Sequence, residues 1–375
     1  MKQNMMRTWA EIDLDAIAHN MKTIRASLPE KTKFLGVVKA DAYGHGAAAV
    51  AKTLEENGAD YLAVSCLAEA LELRRAGSKL PILILGHTPG EYVKVLIEEN
   101  LTQTVTCEAK ALEYSEEAVK CGGRLRIHIK VDTGMSRLGF LCAGEHFEQG
   151  VKNILSACAC PNLDAEGIYT HFAVSDEEGE ENEGYTRAQF RLFTDMIKAL
   201  EEKGLHFALR HCANSGAGLS YRETALDMVR PGLLLYGYGD GGRLGLKCCM
   251  RLVTRVSTIK IYDEGTSVSY GRIYTTDRKT RMGVIPIGYA DGLMRALSNR
   301  CSFYSCGGMA PQRGKICMDM CMIDLTALPD VNVDSEVEIF GPNAPLEKLA
   351  EQAGTIPYEL MCSVSKRVPR VYVGR

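Results

Sequence analysis

The chain has 375 residues, 46% of them hydrophobic and 24% charged, with a formal net charge of -3 at pH 7. At roughly 150 residues per domain, this length suggests two domains, or one large barrel with an extension. The balance excludes a disordered chain, and it lacks the basic bias of a general nucleic-acid binder or of a binder of anionic membranes.

The segment 8–14 alternates like a strand. From residue 34 to about 230, short β-branched runs alternate with stretches of helical periodicity. The spacing predicts strands at 34–39, 60–64, 82–86, 102–106, 125–131, 164–171, 206–211 and 226–229. Between them lie amphipathic segments at 47–57, 67–76, 90–99, 109–121 and 185–203, several ending in Gly or Asn as helix C-termini do. Such a count of β/α units predicts a (β/α)8 barrel of the TIM type. No early GxGxxG is present, which argues against a doubly wound dinucleotide fold.

After about residue 245 the texture changes to β-rich stretches at 251–262, 281–287, 300–306, 315–325 and 335–340, separated by Gly-rich turns. This predicts a mostly antiparallel β domain. The expected division is therefore an N-terminal strand in 1–14 that joins the β domain, a barrel over 15–245 and a β domain over 246–375. The boundary falls in the glycine-rich stretch 237–246. The acidic run 176–183 reads as a solvated loop before the long helix.

No apolar run approaches the roughly 18 residues of a membrane span, and the N-terminus does not read as a secretory signal. The fourteen cysteines are scattered, without a CxxC pair, so they predict neither zinc nor a disulfide frame. No metal is expected. Reduced thiols imply a cytoplasmic protein.

Barrels place their chemistry at the C-terminal ends of the strands. Those ends carry Lys39; Lys130 with Asp132, Thr133 and Arg137; His171; His211 with Asn214, Ser215 and Gly216; and Arg230 with Pro231 and Gly232. Lys39 closes an apolar run. A lysine at a buried strand end has a depressed pKa, and its neutral amine forms Schiff bases. The small-residue turn 41–46 follows it, entering a helix, with Tyr43 placed to meet an anion. The segments 214–216 and 230–232 join strand ends to turns, where free backbone N–H groups bind phosphate. An amine for an aldehyde and a nest for a phosphate together call for pyridoxal 5'-phosphate.

The stretch VKADAYGHG at 38–46 resembles the cofactor-lysine motif of bacterial alanine racemases. The resemblance continues through KVDTGMSRLG at 130–139, THF at 170–172, NS at 214–215 and VRPG at 229–232. It extends into VSYG at 268–271, IGYADG at 287–292, ICMD at 316–319, IPYE at 356–359 and RVPR at 367–370. These motifs run in family order over essentially the whole chain.

The resemblance implies that Lys39 holds the cofactor as a Schiff base and serves as one of two bases, with Tyr270 as the other. Racemisation needs groups on opposite faces of the α-carbon, because the proton leaves one face and returns to the other. The family places His171 beside that tyrosine and Arg230 beside the histidine. Arg230 is further implied to face the pyridine nitrogen, which weakens the electron sink and disfavours transamination. Tyr43, Ser215 and Tyr358 are implied phosphate ligands, aided by backbone N–H groups near Gly232 and Leu233, with Asn214 in the same motif. Arg137 and the Met318 backbone are implied substrate-carboxylate contacts. Tyr289 is implied as a gate, and Lys130 as a lysine that is carbamylated in several members. A head-to-tail homodimer with shared sites is implied, as is a role supplying D-alanine for peptidoglycan. The small departures at Ser136 and Lys315 imply little change.

The nearest alternative is a serine racemase of the same fold, or one of broader specificity. Serine racemases of the vancomycin-resistance type carry a membrane domain ahead of the barrel and tend to replace the tyrosine at Tyr358 by asparagine. A non-catalytic cofactor-binding protein would lack the β domain. A decarboxylase of this barrel type would carry cysteine and glycine motifs not seen in the second half.

Overall fold

The computed structural model describes residues 6–239 and 242–374. Residues 240 and 241, within the expected domain boundary, lie outside the described residues. The chain divides into two compact units. One gathers residues 17–42 and 47–246; the other gathers the N-terminal strand, residues 43–46 and the chain from 247 onward.

In chain order the strands are β1 (Thr8–Asp13), β2 (Lys33–Val37), β3 (Tyr61–Val64), β4 (Ile82–Ile84), β5 (Leu101–Val105) and β6 (Leu125–Asp132). They continue with β7 (Phe140–Leu141), β8 (Leu163–Tyr169), β9 (Leu209–His211) and β10 (Met228–Val229). The first unit is a parallel barrel in the order β10-β2-β3-β4-β5-β6-β8-β9, with β7 paired beside β6. Backbone bonds from Asp227 N to Arg210 O and from Arg230 N to Ala213 O tie β10 to the β9 end. Near-continuous apolar strands such as ILI in β4, covered by helices on one side, are what a parallel sheet requires. β6 is different: LRIHIKVD alternates, so Leu125, Ile127, Ile129 and Val131 share one face while His128, Lys130 and Asp132 share the other. His128 and Lys130 are nevertheless buried. That polar face builds the barrel's site.

The remaining strands are β11 (Met250–Arg255), β12 (Thr258–Tyr262), β13 (Ser267–Val268), β14 (Tyr274–Thr275), β15 (Thr280–Ile285) and β16 (Ser302–Ser305). They end with β17 (Gly308–Arg313), β18 (Cys321–Asp324), β19 (Glu336–Phe340) and β20 (Arg370–Val373). The second unit is a nine-stranded sheet in the order β12-β15-β18-β17-β16-β19-β11-β1-β20. All its ladders are antiparallel except β1 with β20. Trp9, Ala10 and Ile12 of β1 are fully buried, Trp9 on one face of the sheet and Ala10 and Ile12 on the other. Arg251 on β11 bridges Glu11 at 3.0 Å and Glu338 at 2.8 Å, tying three neighbouring strands.

Several elements differ from the sequence reading. The stretch 251–262 is two strands, and only Cys321–Asp324 of 315–325 is a strand, which leaves Met318 on a loop. The acidic run is not wholly a loop: Glu180 to Glu183 form the first turn of the helix Glu180–Glu201. There their charge meets the positive end of the helix dipole. All fourteen cysteines are free thiols. Burial pushes the Cys142, Cys158, Cys212 and Cys301 thiols up to about 12, which keeps them protonated and unreactive. No described helix is long and apolar enough to cross a membrane.

Candidate active site

Lys39 follows β2 by two residues, so the strand ends earlier than its apolar run suggests. The turn after it is left-handed. Ala40, Asp41, Ala42 and Tyr43 all have φ of 52–53°. Left-handed turns of non-glycine residues cost roughly 1–2 kcal/mol per residue, so this one must be held from outside. Glu69 does so, accepting from Ala40 N and Ser65 N, each at 2.7 Å. Asp41 accepts from Ala47 N at 2.7 Å, which ties the turn to the next helix.

Lys130 is buried, and its Nζ has no hydrogen-bond partner. It lies 4.7 Å from the Tyr169 ring centroid. Burial first, then the Arg230 and Arg137 charges, pull its pKa far below the usual lysine value. Burial and the two arginines therefore disfavour the charged ammonium. Asp132 accepts from Gly134 N and Ser136 N, both at 3.0 Å, and so shapes the loop that carries exposed Arg137. Gly139 is required here, since its φ is 126° and a Cβ would lie 2.8 Å from Lys130 O. Arg137 opens onto a pocket of about 430 Å³ lined with Thr106, Asp132 and Ser136.

Arg230 is the hub of the barrel. Its guanidinium donates to His211 Nδ1 at 3.0 Å, Thr170 O at 2.8 Å, Cys212 O at 2.9 Å and His171 Nδ1 at 3.3 Å. These acceptors fix the guanidinium plane without a carboxylate. Burial, then Arg230 itself, pulls the His171 and His211 pKa values far down, so both rings are neutral. Asn214 caps the turn Ser215–Ser220 by accepting from Ala217 N at 2.9 Å. Ser215 Oγ accepts from Gly232 N at 3.0 Å and Leu234 N at 3.5 Å, which gathers small polar groups at the turn that Leu233 begins. The barrel thus bonds His171 to Arg230, sets Lys130 against the same Tyr169 ring as Arg230, and joins Ser215 to Gly232 with Asn214 capping the same turn.

The second unit collects Tyr43, Tyr270, Tyr289, Met318 and Tyr358. The Tyr43 and Tyr358 rings pack 5.8 Å apart, and Tyr43 is buried. Burial, then Tyr358, holds the Tyr43 hydroxyl protonated well above its ordinary value. Tyr270 is 69% exposed. It stands between Ser269 at φ 66° and Gly271 at φ 68°. Ser269 occupies a region that is essentially glycine-only, and its Oγ bond to Lys315 O at 2.7 Å holds it there. Tyr270, Ser269, Cys317 and Met318 line an open pocket of about 480 Å³. Tyr289 N and Ala290 N donate to Cys317 O and Met318 O, each at 3.0 Å, so the Tyr289 loop and the Met318 loop share one frame. A Cβ at Gly288 would lie 2.3 Å from Cys317 O, so only glycine allows this approach.

Sequence reading missed the device that anchors this frame. Asp291, buried, accepts from Arg7 and Arg367 at 2.7 Å each, and from Gly288 N at 2.9 Å. Arg367 also reaches Asp319 at 2.7 Å. Reading also missed His128, Glu166 and Tyr169 in the barrel. The alternation of polar residues on β6 was the signal for His128.

A parallel barrel with a lysine past its first strand and a buried guanidinium, continued in sequence by an antiparallel unit with exposed tyrosines, defines an amino-acid racemase, an isomerase. The match to known proteins makes the assignment particular. Residues 12–240 match the alanine racemase N-terminal domain and residues 249–372 match the alanine racemase C-terminal domain. An alanine racemase of Desulforamulus reducens is 45% identical over 98% of this chain and 99% of its own length. A solved alanine racemase of Clostridium difficile superposes with a TM-score of 0.93 at 39% identity, covering 98% of this chain and 96% of that one. The structure of a Bacillus anthracis alanine racemase with bound L-Ala-P superposes with a TM-score of 0.89 at 34% identity, covering 98% and 95%. The chain belongs to the alanine racemase family, and its activity is the interconversion of L- and D-alanine.

Proposed function

We propose that pyridoxal 5'-phosphate is the cofactor and that Lys39 and Tyr270 are the two bases. When bound, the cofactor supplies an electron sink that acidifies the substrate α-carbon. The observation that carries the reading is Arg230, a buried cation fixed by neutral acceptors. A permanent donor such as Arg230 would leave the pyridine nitrogen of the group without a proton, which suits an enzyme that only moves one proton. The donor set fits the rest of the group. Ser215 Oγ and the N–H groups of Gly232 and Leu233 suit its phosphate, with Asn214 shaping the turn and Tyr43 and Tyr358 as hydroxyl donors. Lys39 suits its aldehyde. His171 is held neutral and orients Tyr270.

Arg137 and the Met318 backbone hold the substrate carboxylate, and Tyr289 gates access. Tyr270 of the partner subunit completes each site in a head-to-tail homodimer. The product serves as D-alanine for peptidoglycan in the cytoplasm. Each base takes the proton from one face only. Lys39→Ala is expected to remove the visible absorbance of the purified protein and lower racemisation by at least about 10³-fold. Tyr270→Phe is expected to keep that absorbance and to lose about 10²–10⁴-fold of racemisation in both directions, while one enantiomer still exchanges its α-proton with solvent deuterium without inversion. Full activity in Tyr270→Phe would exclude the assignment.

Lys130 is proposed to be carbamylated. Its neutral amine attacks the carbon of carbon dioxide, an N–C bond forms and the nitrogen gives up a proton. The resulting anion answers the Arg137 and Arg230 charges that depress the free amine. Native mass spectrometry at neutral pH should show one added carbon dioxide per chain, absent in Lys130→Ala. An unmodified wild-type mass would refute the modification.

A further inference from the structure

The barrel interior holds a hydrogen-bond chain that runs from Arg230 away from the reacting end. Arg230 Nη1 lies 3.0 Å from His211 Nδ1, His211 Nε2 lies 2.9 Å from His128 Nδ1, and His128 Nε2 lies 3.2 Å from Glu166 Oε2. Tyr61 OH donates to Glu166 Oε1 at 2.9 Å. The direction of every proton follows from its two ends. A guanidinium only donates, so His211 Nδ1 is bare. A neutral His211 then carries its proton on Nε2, and His128 Nδ1 must accept it. His128 therefore carries its own proton on Nε2 and donates to the Glu166 carboxylate, which only accepts when ionised.

Reversing the chain would aim an Nδ1–H of His211 at an N–H of Arg230, a buried donor against a donor. Burial alone would raise the Glu166 carboxyl, but the bonds from His128 and Tyr61 outweigh it and hold it below its ordinary value. Burial lowers the His128 pKa, consistent with a neutral ring.

The backbone makes room for this chain. Gly167 stands opposite His128, and a Cβ there would lie 2.7 Å from His128 Nε2 and Cε1. The β6–β8 register shifts between Ile127 and His128. Tyr169 stacks on the His211 ring at 4.8 Å with an interplanar angle of 8°, which fixes that ring's plane.

We propose that Glu166 is a positioning residue for racemisation, the anionic terminus that sets both imidazoles as Nε2–H tautomers and so keeps His211 Nδ1 a bare acceptor for Arg230. Arg126 Nε lies 3.7 Å from Glu166 Oε1 and helps to keep that terminus anionic. The catalytic part of this statement rests on Arg230 facing the cofactor; the tautomers do not.

The test is long-range ¹H–¹⁵N correlation on the holoprotein labelled with ¹⁵N-histidine, beside steady-state kinetics. The expected result for the wild type is two neutral rings, His128 and His211, each with a protonated Nε2 and a bare Nδ1. An Nδ1–H tautomer or an imidazolium at either position would overturn the chain, and the wild-type spectrum decides this even if no variant folds. Glu166→Gln, which can turn either its carbonyl or its amide to His128, is expected to mix the tautomers. It should lower kcat by about tenfold, the equivalent of one misplaced buried hydrogen bond, with KM within about twofold. Wild-type tautomers with wild-type kcat in this variant would overturn the positioning role. Should kcat be unmoved while the tautomers mix, Arg230→Gln separates the causes. Loss of activity there overturns the role of Glu166, and retained activity overturns the cofactor-facing reading of Arg230 and with it the catalytic part of the proposal.

Discussion

In the barrel, Lys130, His211 and Arg230 are buried and held by neighbours within hydrogen-bond or ring-contact distance. In the second unit, Tyr270, Tyr289 and Met318 are 69%, 45% and 53% exposed. The barrel achieves its chemistry by desolvation, which shifts protonation states without moving atoms. The second unit leaves Tyr270, Tyr289 and Met318 at the surface and instead locks the backbone beneath them. Ser269 and Gly314 hold the Tyr270 turn, and Asp291 holds the Tyr289 and Met318 loops. Buried groups with displaced pKa values therefore dominate the barrel site, beside the left-handed turn at 40–43, whereas a buried ion cluster and the strained Ser269 mark the other.

That contrast predicts different responses to substitution. Asp291→Asn removes the charge shared by two half-exposed arginines. It is expected to cost about 1.5–3 kcal/mol of stability, the range for hydrogen bonds to charged groups, because a buried carboxylate is lost while solvent eases the cations. Denaturant unfolding measures it. KM for alanine should rise more than kcat falls, since the Met318 loop loosens while the barrel's buried network is untouched. An unchanged KM with the full stability loss would show that the cluster supports the fold alone, and would break the comparison between the two units.

Much of this was legible in the residues, for reasons that differ along the chain. The barrel strands were readable because a parallel sheet demands short apolar runs at regular spacing, and eight of the predicted runs contain strands of the barrel. Lys39, Lys130, His171, Ser215 and Arg230 were readable because they close or follow such runs. The left-handed turn at 40–43 was not, because Ala and Tyr do not favour positive φ and backbone N–H bonds to Glu69, Asp41 and Val38 O make it tolerable. β17 escaped because Pro311 breaks the strand pattern, although the strand lies between β16 and β18 and pairs with both. Glu166 and Asp291 escaped for a common reason. Their partners are distant in sequence, Tyr61 and His128 for one, Arg7 and Arg367 for the other. Charge pairing over such separations leaves no local pattern.

The barrel side of the contrast is sharpened by acid. His128, His171 and His211 have folded pKa values below the ordinary histidine value, chiefly through burial. The groups that oppose protonation of His171 are Arg230, Lys130, Arg137 and Lys39; those at His211 are Arg230, His128 and Lys130. In the unfolded chain each histidine takes up a proton as pH falls through about 6.5, whereas the folded chain does not until lower pH. The unfolded state then binds more protons, so stability must fall with pH below that point, by at most about 1.4 kcal/mol per pH unit per histidine. Glu166 acts in the same direction lower down, since its folded value is depressed and its contribution is lost as it protonates. Unfolding midpoints taken between about pH 7 and 5 should therefore decline, and replacing His171 by Gln should shallow the decline within the histidine window. A slope unchanged by that replacement would mean that His171 is not held neutral by burial. Desolvation would then not be what distinguishes the barrel from the second unit.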